Sequence, residues 1–98
     1  MNTISSGELL KMARIPTVIR DSVITRDNEC CVLCGRQAKE IHHVMLKSHS
    51  GNNTSYNLVC VCRVCHSRIH SNNKKWFPIL FNMLKEIYPN LTIELMKK

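Results

Sequence analysis

Aromatic side chains are scarce: Trp76, two Tyr and two Phe among 98 residues. A chain of that length forms one domain at most and buries a smaller share of its surface than a larger one does. So small a core would benefit from a structural metal, because metal binding contributes directly to folding. No stretch is apolar enough to span a membrane. Residues Met1 to Glu8 show no basic segment followed by an apolar run, so no secretory signal is visible. There is no internal repeat and no low-complexity tract. Acidic residues are few, seven against 14 Lys and Arg, and the formal net charge is +7. A polyanion is the natural partner of such a chain, although solubility alone also accounts for a basic surface.

Six cysteines are present, at 30, 31, 34, 60, 62 and 65. Without a secretory route the thiols stay reduced, which favours metal over disulfides and implies a cytoplasmic setting. Cys31-x-x-Cys34 and Cys62-x-x-Cys65 are separated by 27 residues. The x-x spacing lets both sulfurs of a pair reach one tetrahedral ion, and two pairs close a structural zinc site. Cys30 and Cys60 fit poorer spacings and read as buried thiols near the metal. The plainer alternative for all six is a core of free thiols.

Secondary structure follows from pattern and punctuation. Ser5 or Ser6 caps a first helix containing Leu9, Leu10, Met12 and Ala13. Pro16 opens a second helix to about Arg26, with Val18, Ile19, Val23 and Ile24 inside and Arg20-Asp21 and Arg26-Asp27 mostly outside. Cys31 to Gly35 is a tight turn. Glu40 to Leu46 reads as a strand, Lys47 to Ser55 as a polar loop holding His49, and Leu58 to Val61 as a return strand. A helix begins near Cys62 or Arg63 and runs past His70, and Ser71 to Asn73 is a loop. The next helix starts at Trp76 with Pro78 in its first turn and Leu80, Met83, Leu84 and Ile87 on its buried face. Pro89-Asn90 ends it, and Thr92 caps a last turn through Met96.

The segment between the cysteine pairs carries the histidine chemistry. His66 and His70 are i, i+4 and share a helical face, and His66 directly follows a zinc-ligand cysteine. In a regular strand His42 and His43 point to opposite faces; a bulge or twist brings both to one cleft. One strand histidine and His66 can then share an ion, with the other strand histidine left as a base. Phosphodiester hydrolysis requires both a base and a cation. The plainer alternatives are a solvated His42, a turn-forming Asn57 and a surface His70.

Arg26-Asp27-Asn28, Cys31-x-x-Cys34-Gly35, His42-His43-Val44, Ser48 to Gly51, Asn57-Leu58-Val59 and Cys62-x-x-Cys65-His66 together resemble the HNH endonucleases that carry a four-cysteine zinc. The resemblance covers about residues 20 to 70. It implies an α+β fold: a ββα-metal finger with a four-cysteine zinc knot (Cys31, Cys34, Cys62, Cys65), here flanked by N- and C-terminal helices. A single domain, 1–98, would then have its core at about 26–72 and helical flanks at 5–26 and 76–97. By the same resemblance His43 is the general base and Asn57 the middle Asn that holds the loop and orients it. His42 and His66 would hold the catalytic divalent ion, with His70 near the ion or the scissile phosphate. Leu46 stands where the family often has Pro, and Gly51 alone remains of a common Gly pair. The implied activity is metal-dependent hydrolysis of DNA phosphodiester bonds. Mg²⁺ is the abundant ion, whereas two imidazoles suit Mn²⁺, Ni²⁺ or Zn²⁺ better. Arg36, Lys47, Arg63 and Arg68 would meet the DNA backbone. Small members resembling this chain are frequent in bacteriophage, where some assist packaging and others are homing or restriction enzymes; phage packaging proteins, or a homodimer where both strands are cut, are further partners implied. The rival class is a non-catalytic zinc-knot module that binds nucleic acid.

Overall fold

A computed structural model describes residues 14–98. The expected first helix lies outside the described residues. The described elements run α1 (Thr17–Arg26), β1 (Glu40–His43), β2 (Leu58–Val61), α2 (Arg63–Ser71), α3 (Asn73–Ile87) and α4 (Ile93–Met96), with short 3-10 turns at Lys47–His49 and Ser55–Asn57. Among the described residues no helix is long and apolar enough to cross a membrane.

β1 and β2 pair antiparallel, with Glu40 opposite Val61, Ile41 opposite Cys60, His42 opposite Val59 and His43 opposite Leu58. Every residue of β2 is buried, because the strand is covered on both faces. Val23 of α1 packs with Ile41 and Leu58, supported by Ile15, Ile19 and Ile24. Val59 and Val61 join Ile69 of α2, Leu80 and Leu84 of α3, and Leu91 and Met96. The two-stranded sheet is thus the middle layer between α1 and the other helices, which fixes the hairpin that carries the histidines.

Several expectations are corrected here. β1 ends at His43 rather than Leu46. Val44 donates one more ladder bond to the Asn57 carbonyl, but the Asn57 side chain then takes both backbone groups of Met45 and ends the pairing. Val18 is 80% exposed, because Ile15, Ile19 and Val23 form the i, i+4, i+8 stripe and Val18 falls off it. α3 starts at Asn73, three residues before Trp76, so Pro78 lies in its second turn. Only Asn72 separates α2 from α3, and its carbonyl accepts from Lys75 and Trp76 to open the new helix. Ile87, the last helical residue, lies beyond the core and is exposed.

Arg26 and Asp27 are also not outside. Their side chains are 15% and 3% exposed and form a two-pronged ion pair of 2.8 and 2.9 Å. Arg26 donates further to the carbonyls of Ser55 and Leu58, and Asp27 accepts from the Cys60 amide. The pair fills polar needs of β2 and the turn before it, which is why burial is tolerated.

Candidate metal centre

Two local structures aim the four cysteines. The first is the turn after Cys31, where the Gly35 amide donates to the Cys31 carbonyl and the Cys31 amide to Arg36. Gly35 has φ +80°, a conformation glycine adopts without a Cβ penalty. The second is the start of α2, where Cys62 is the N-cap and its sulfur accepts from the Cys65 amide. These bring Cys31, Cys34, Cys62 and Cys65 together, with all four sulfurs within 4.8 Å of one another. The Cys34 and Cys62 sulfurs are 3.6 Å apart. Zinc–sulfur bonds of about 2.3 Å place tetrahedral sulfurs about 3.8 Å apart, so the cluster has the size of a zinc knot. Burial raises the Cys31 thiol, but backbone hydrogen bonds involving Cys62, Cys34 and Leu33 outweigh it and bring it down to about 7. Burial, and then the neighbouring sulfurs, push Cys65 up. Such a cluster cannot hold four bare thiolates without a cation.

Cys60 is separate: it is buried, its sulfur donates to the Ala38 carbonyl at 3.0 Å, and burial lifts it to about 11. Cys30 is half-buried and its backbone bridges Gln37.

A second cluster joins β1 to α2. His42 on β1 and His66 and His70 on α2 have ring nitrogens within 4.8 Å of one another. Their ring centroids are separated by 5.2, 5.2 and 4.8 Å. His42 is 1% exposed, and neither of its ring nitrogens has a hydrogen-bond partner. Burial, reinforced by His66, His70 and His43, lowers its pKa to about 3, so the ring is neutral and offers a lone pair at physiological pH. A buried imidazole orphaned at both nitrogens beside two more imidazoles fits a divalent cation better than it fits a packing role.

Glu40 escaped the motif reading. One of its oxygens lies 3.4 Å from His66 Nδ1 and the other 3.7 Å from Arg63 Nε. Glu40 and His42 are i, i+2 on one strand face, and Arg63 and His66 are i, i+3 on one helix face. That pairing of periodicities was the available signal. A carboxylate on the far nitrogen is the usual orienting partner of a metal-binding histidine.

His43 is the last residue of β1 and lines the same cleft as His42, His66 and His70, together with Ile41, Leu46, Lys47 and Ser48; the cleft holds about 420 Å³. His43 Nε2 is 2.7 Å from Asn53 Oδ1. Burial lowers the His43 pKa and Lys47 and Lys98 act in the same direction, against the Asn53 bond. Asn57 is fully buried and faces elsewhere: its Oδ1 accepts from the Met45 amide, and its Nδ2 donates to the carbonyls of Met45 and Asn52. Asn53, four residues earlier in a polar loop, had no motif to mark it. His49 is an exposed loop residue.

The four basic residues do not converge. Lys47 lines the cleft and Arg63 flanks it through Glu40. Arg36 and Arg68 instead border a shallow hollow over Cys34, Cys62, Val64 and Cys65.

Residues 31–72 match the family model described as HNH endonuclease. No curated protein matches the chain. The matched span starts at the first cysteine of the knot and ends just after His70, so it encloses both clusters and the hairpin between them. Over residues 31–72, a little under half of its length, the chain is similar to the HNH endonuclease family.

Proposed function

We propose that this chain is a metal-dependent endonuclease that hydrolyses DNA phosphodiester bonds. The observation that carries the reading is the His42–His66–His70 triad, with its orphaned buried imidazole, opening into the same cleft as His43. Cys31, Cys34, Cys62 and Cys65 hold a structural zinc, and His42, His66 and His70 hold a catalytic divalent ion. Three imidazoles favour Mn²⁺, Ni²⁺ or Zn²⁺ over Mg²⁺. When bound, that ion supplies Lewis-acid stabilisation of the charge gathered on the phosphate and the leaving oxygen.

His43 is the general base. Its Nε2–H donates to Asn53 Oδ1, which leaves Nδ1 as the acceptor that takes a proton from water. The lowered pKa keeps that nitrogen unprotonated at neutral pH. Asn57 acts at one remove: by tying Asn52 and Met45 together it sets where Asn53 stands. Lys47 and Arg63 meet phosphates beside the cleft, and Arg36 and Arg68 extend the basic surface past the knot. One such centre cuts one strand, so a double-strand break takes two copies or two events.

The placement of Arg36 and Arg68 over the cysteine cluster rather than the cleft favours a second reading, a zinc-knot module that binds nucleic acid without cutting it. Plasmid nicking separates the two. The nuclease reading expects divalent-dependent nicking that His43→Ala reduces by about 10²–10⁴-fold. Equal nicking by wild type and His43→Ala sinks the catalytic assignment, and DNA binding by both with no cutting under any ion supports the module.

A further inference from the structure

The loop that holds the base is braced by a segment far outside the matched residues. The Asn52 amide donates to the Met96 carbonyl at 2.8 Å, and the Lys98 amide to the Ser50 carbonyl at 2.9 Å. Asn52 Nδ2 forks to the carbonyls of Leu95 and Lys97 at 2.8 and 2.9 Å. Gly51 and Lys97 form an antiparallel bridge. Met96 is fully buried and anchors the segment in the core. The loop therefore has a second edge, and this edge delivers Lys98 next to Ser50, within the stretch that runs from Lys47 to Asn53.

Apart from Glu40 beside His66 and Glu94 beside Lys97, the charged side chains named around the loop and cleft are basic. Lys47 lines the cleft, the three-histidine cluster is a cation site, and the field of both Lys47 and Lys98 reaches His43. Lys97 is paired with Glu94 at 3.9 Å, whereas Lys98 makes no ion pair among the described residues. Gathering ammonium groups beside a cation site is unfavourable in the free protein and becomes favourable when an anion arrives. Backbone bonds fix the root of the Lys98 side chain, so part of its ordering cost is met before the anion binds.

We propose that Lys98, carried on the 95–98 brace, contacts a phosphate of the DNA backbone next to the scissile one, with Lys47 on the same cleft. The assignment rests on the cleft being where DNA lies, as the nuclease reading has it. It gives the cleft a backbone contact from outside the family segment.

The test uses the full zinc-loaded chain carrying His43→Ala, a short random-sequence duplex, and a series of salt concentrations. Lys98→Ala is expected to weaken binding several-fold, regardless of sequence, and to reduce the slope of log affinity against log salt by about 0.9, one phosphate contact. Lys98→Arg is expected to keep the slope, and Lys97→Ala to leave it unchanged because that charge is already paired. An unchanged slope for Lys98→Ala, or an equal loss for Lys97→Ala, overturns the proposal. Plasmid cleavage by the chain with His43 intact is run in parallel. A slope change without cleavage upholds the phosphate contact while the nuclease reading fails. Cleavage without a slope change does the reverse.

Discussion

Asn57→Ala is the substitution whose cost can be built most directly from the structure. The side chain is fully buried and makes three hydrogen bonds: 2.7 Å from the Met45 amide, and 3.0 Å each to the carbonyls of Met45 and Asn52. Alanine removes all three at once. Leaving the buried Met45 amide without its acceptor costs about 1–3 kcal/mol, and each of the two lost donor bonds about 0.5–1.5 kcal/mol. The sum is about 4 kcal/mol, a large share of the roughly 5–15 kcal/mol that holds a small domain folded. At about 4–8 °C per kcal/mol for a domain of this size, the unfolding midpoint falls by roughly 15–30 °C. The assay is thermal denaturation of zinc-loaded protein followed by circular dichroism, with zinc content checked so that metal loss is not mistaken for lost bonds. A midpoint drop below about 5 °C, corresponding to about 1 kcal/mol, would refute the clamp and with it the claim that Asn57 sets the loop.

Asn53→Ala is the complementary case: it removes one bond, to His43, so stability changes by about 1 kcal/mol or less while kcat falls about tenfold to 10²-fold, read from single-turnover cleavage beside a melting curve. Cys65→Ser is expected to abolish zinc loading and folding, whereas Cys60→Ala keeps one equivalent of zinc by colorimetric titration and costs about 1–3 kcal/mol, since Cys60 is a core thiol outside the knot. A Cβ at residue 51 would overlap the Met45 carbonyl and lie 2.9 Å from Asn57 Nδ2, so Gly51→Ala is expected to destabilise the loop by about 1–3 kcal/mol or more; chemical denaturation checks it, and a neutral outcome rejects the close approach.

What could be read from the chain before its structure was chiefly local. The paired cysteines, the Leu58–Val61 strand and the start of α2 depend on spacing within a few residues, where backbone geometry leaves little choice. The family motif supplied His42, His43 and His66 by position. Less visible were the residues whose work spans the fold. Arg26 and Asp27 look like surface charges in sequence, and only the packing of α1 on β2 shows the amide and carbonyl groups they satisfy. Glu40 becomes informative once strand and helix lie side by side. Asn53 sits in a loop whose path is set by Asn57 and by residues 95–98, more than 40 positions away. Polar side chains serving backbone groups have no periodicity, so sequence pattern cannot find them.

Cys65 and His66 are adjacent on α2, and successive side chains on a helix diverge by about 100°. One helix thus divides the two clusters, with four thiols on one side and three imidazoles on the other. If both clusters hold cations, as the nuclease reading has it, the consequence is thermodynamic linkage. Loading the sulfur site orders the helix start, so the imidazole site meets an incoming ion with less entropy left to lose. By reciprocity, an ion on the histidines must tighten the hold of the cysteines on theirs by the same factor. The order of metal loading would then be a property of the helix, and a chelator that strips zinc would silence the cleft without touching a single cleft residue.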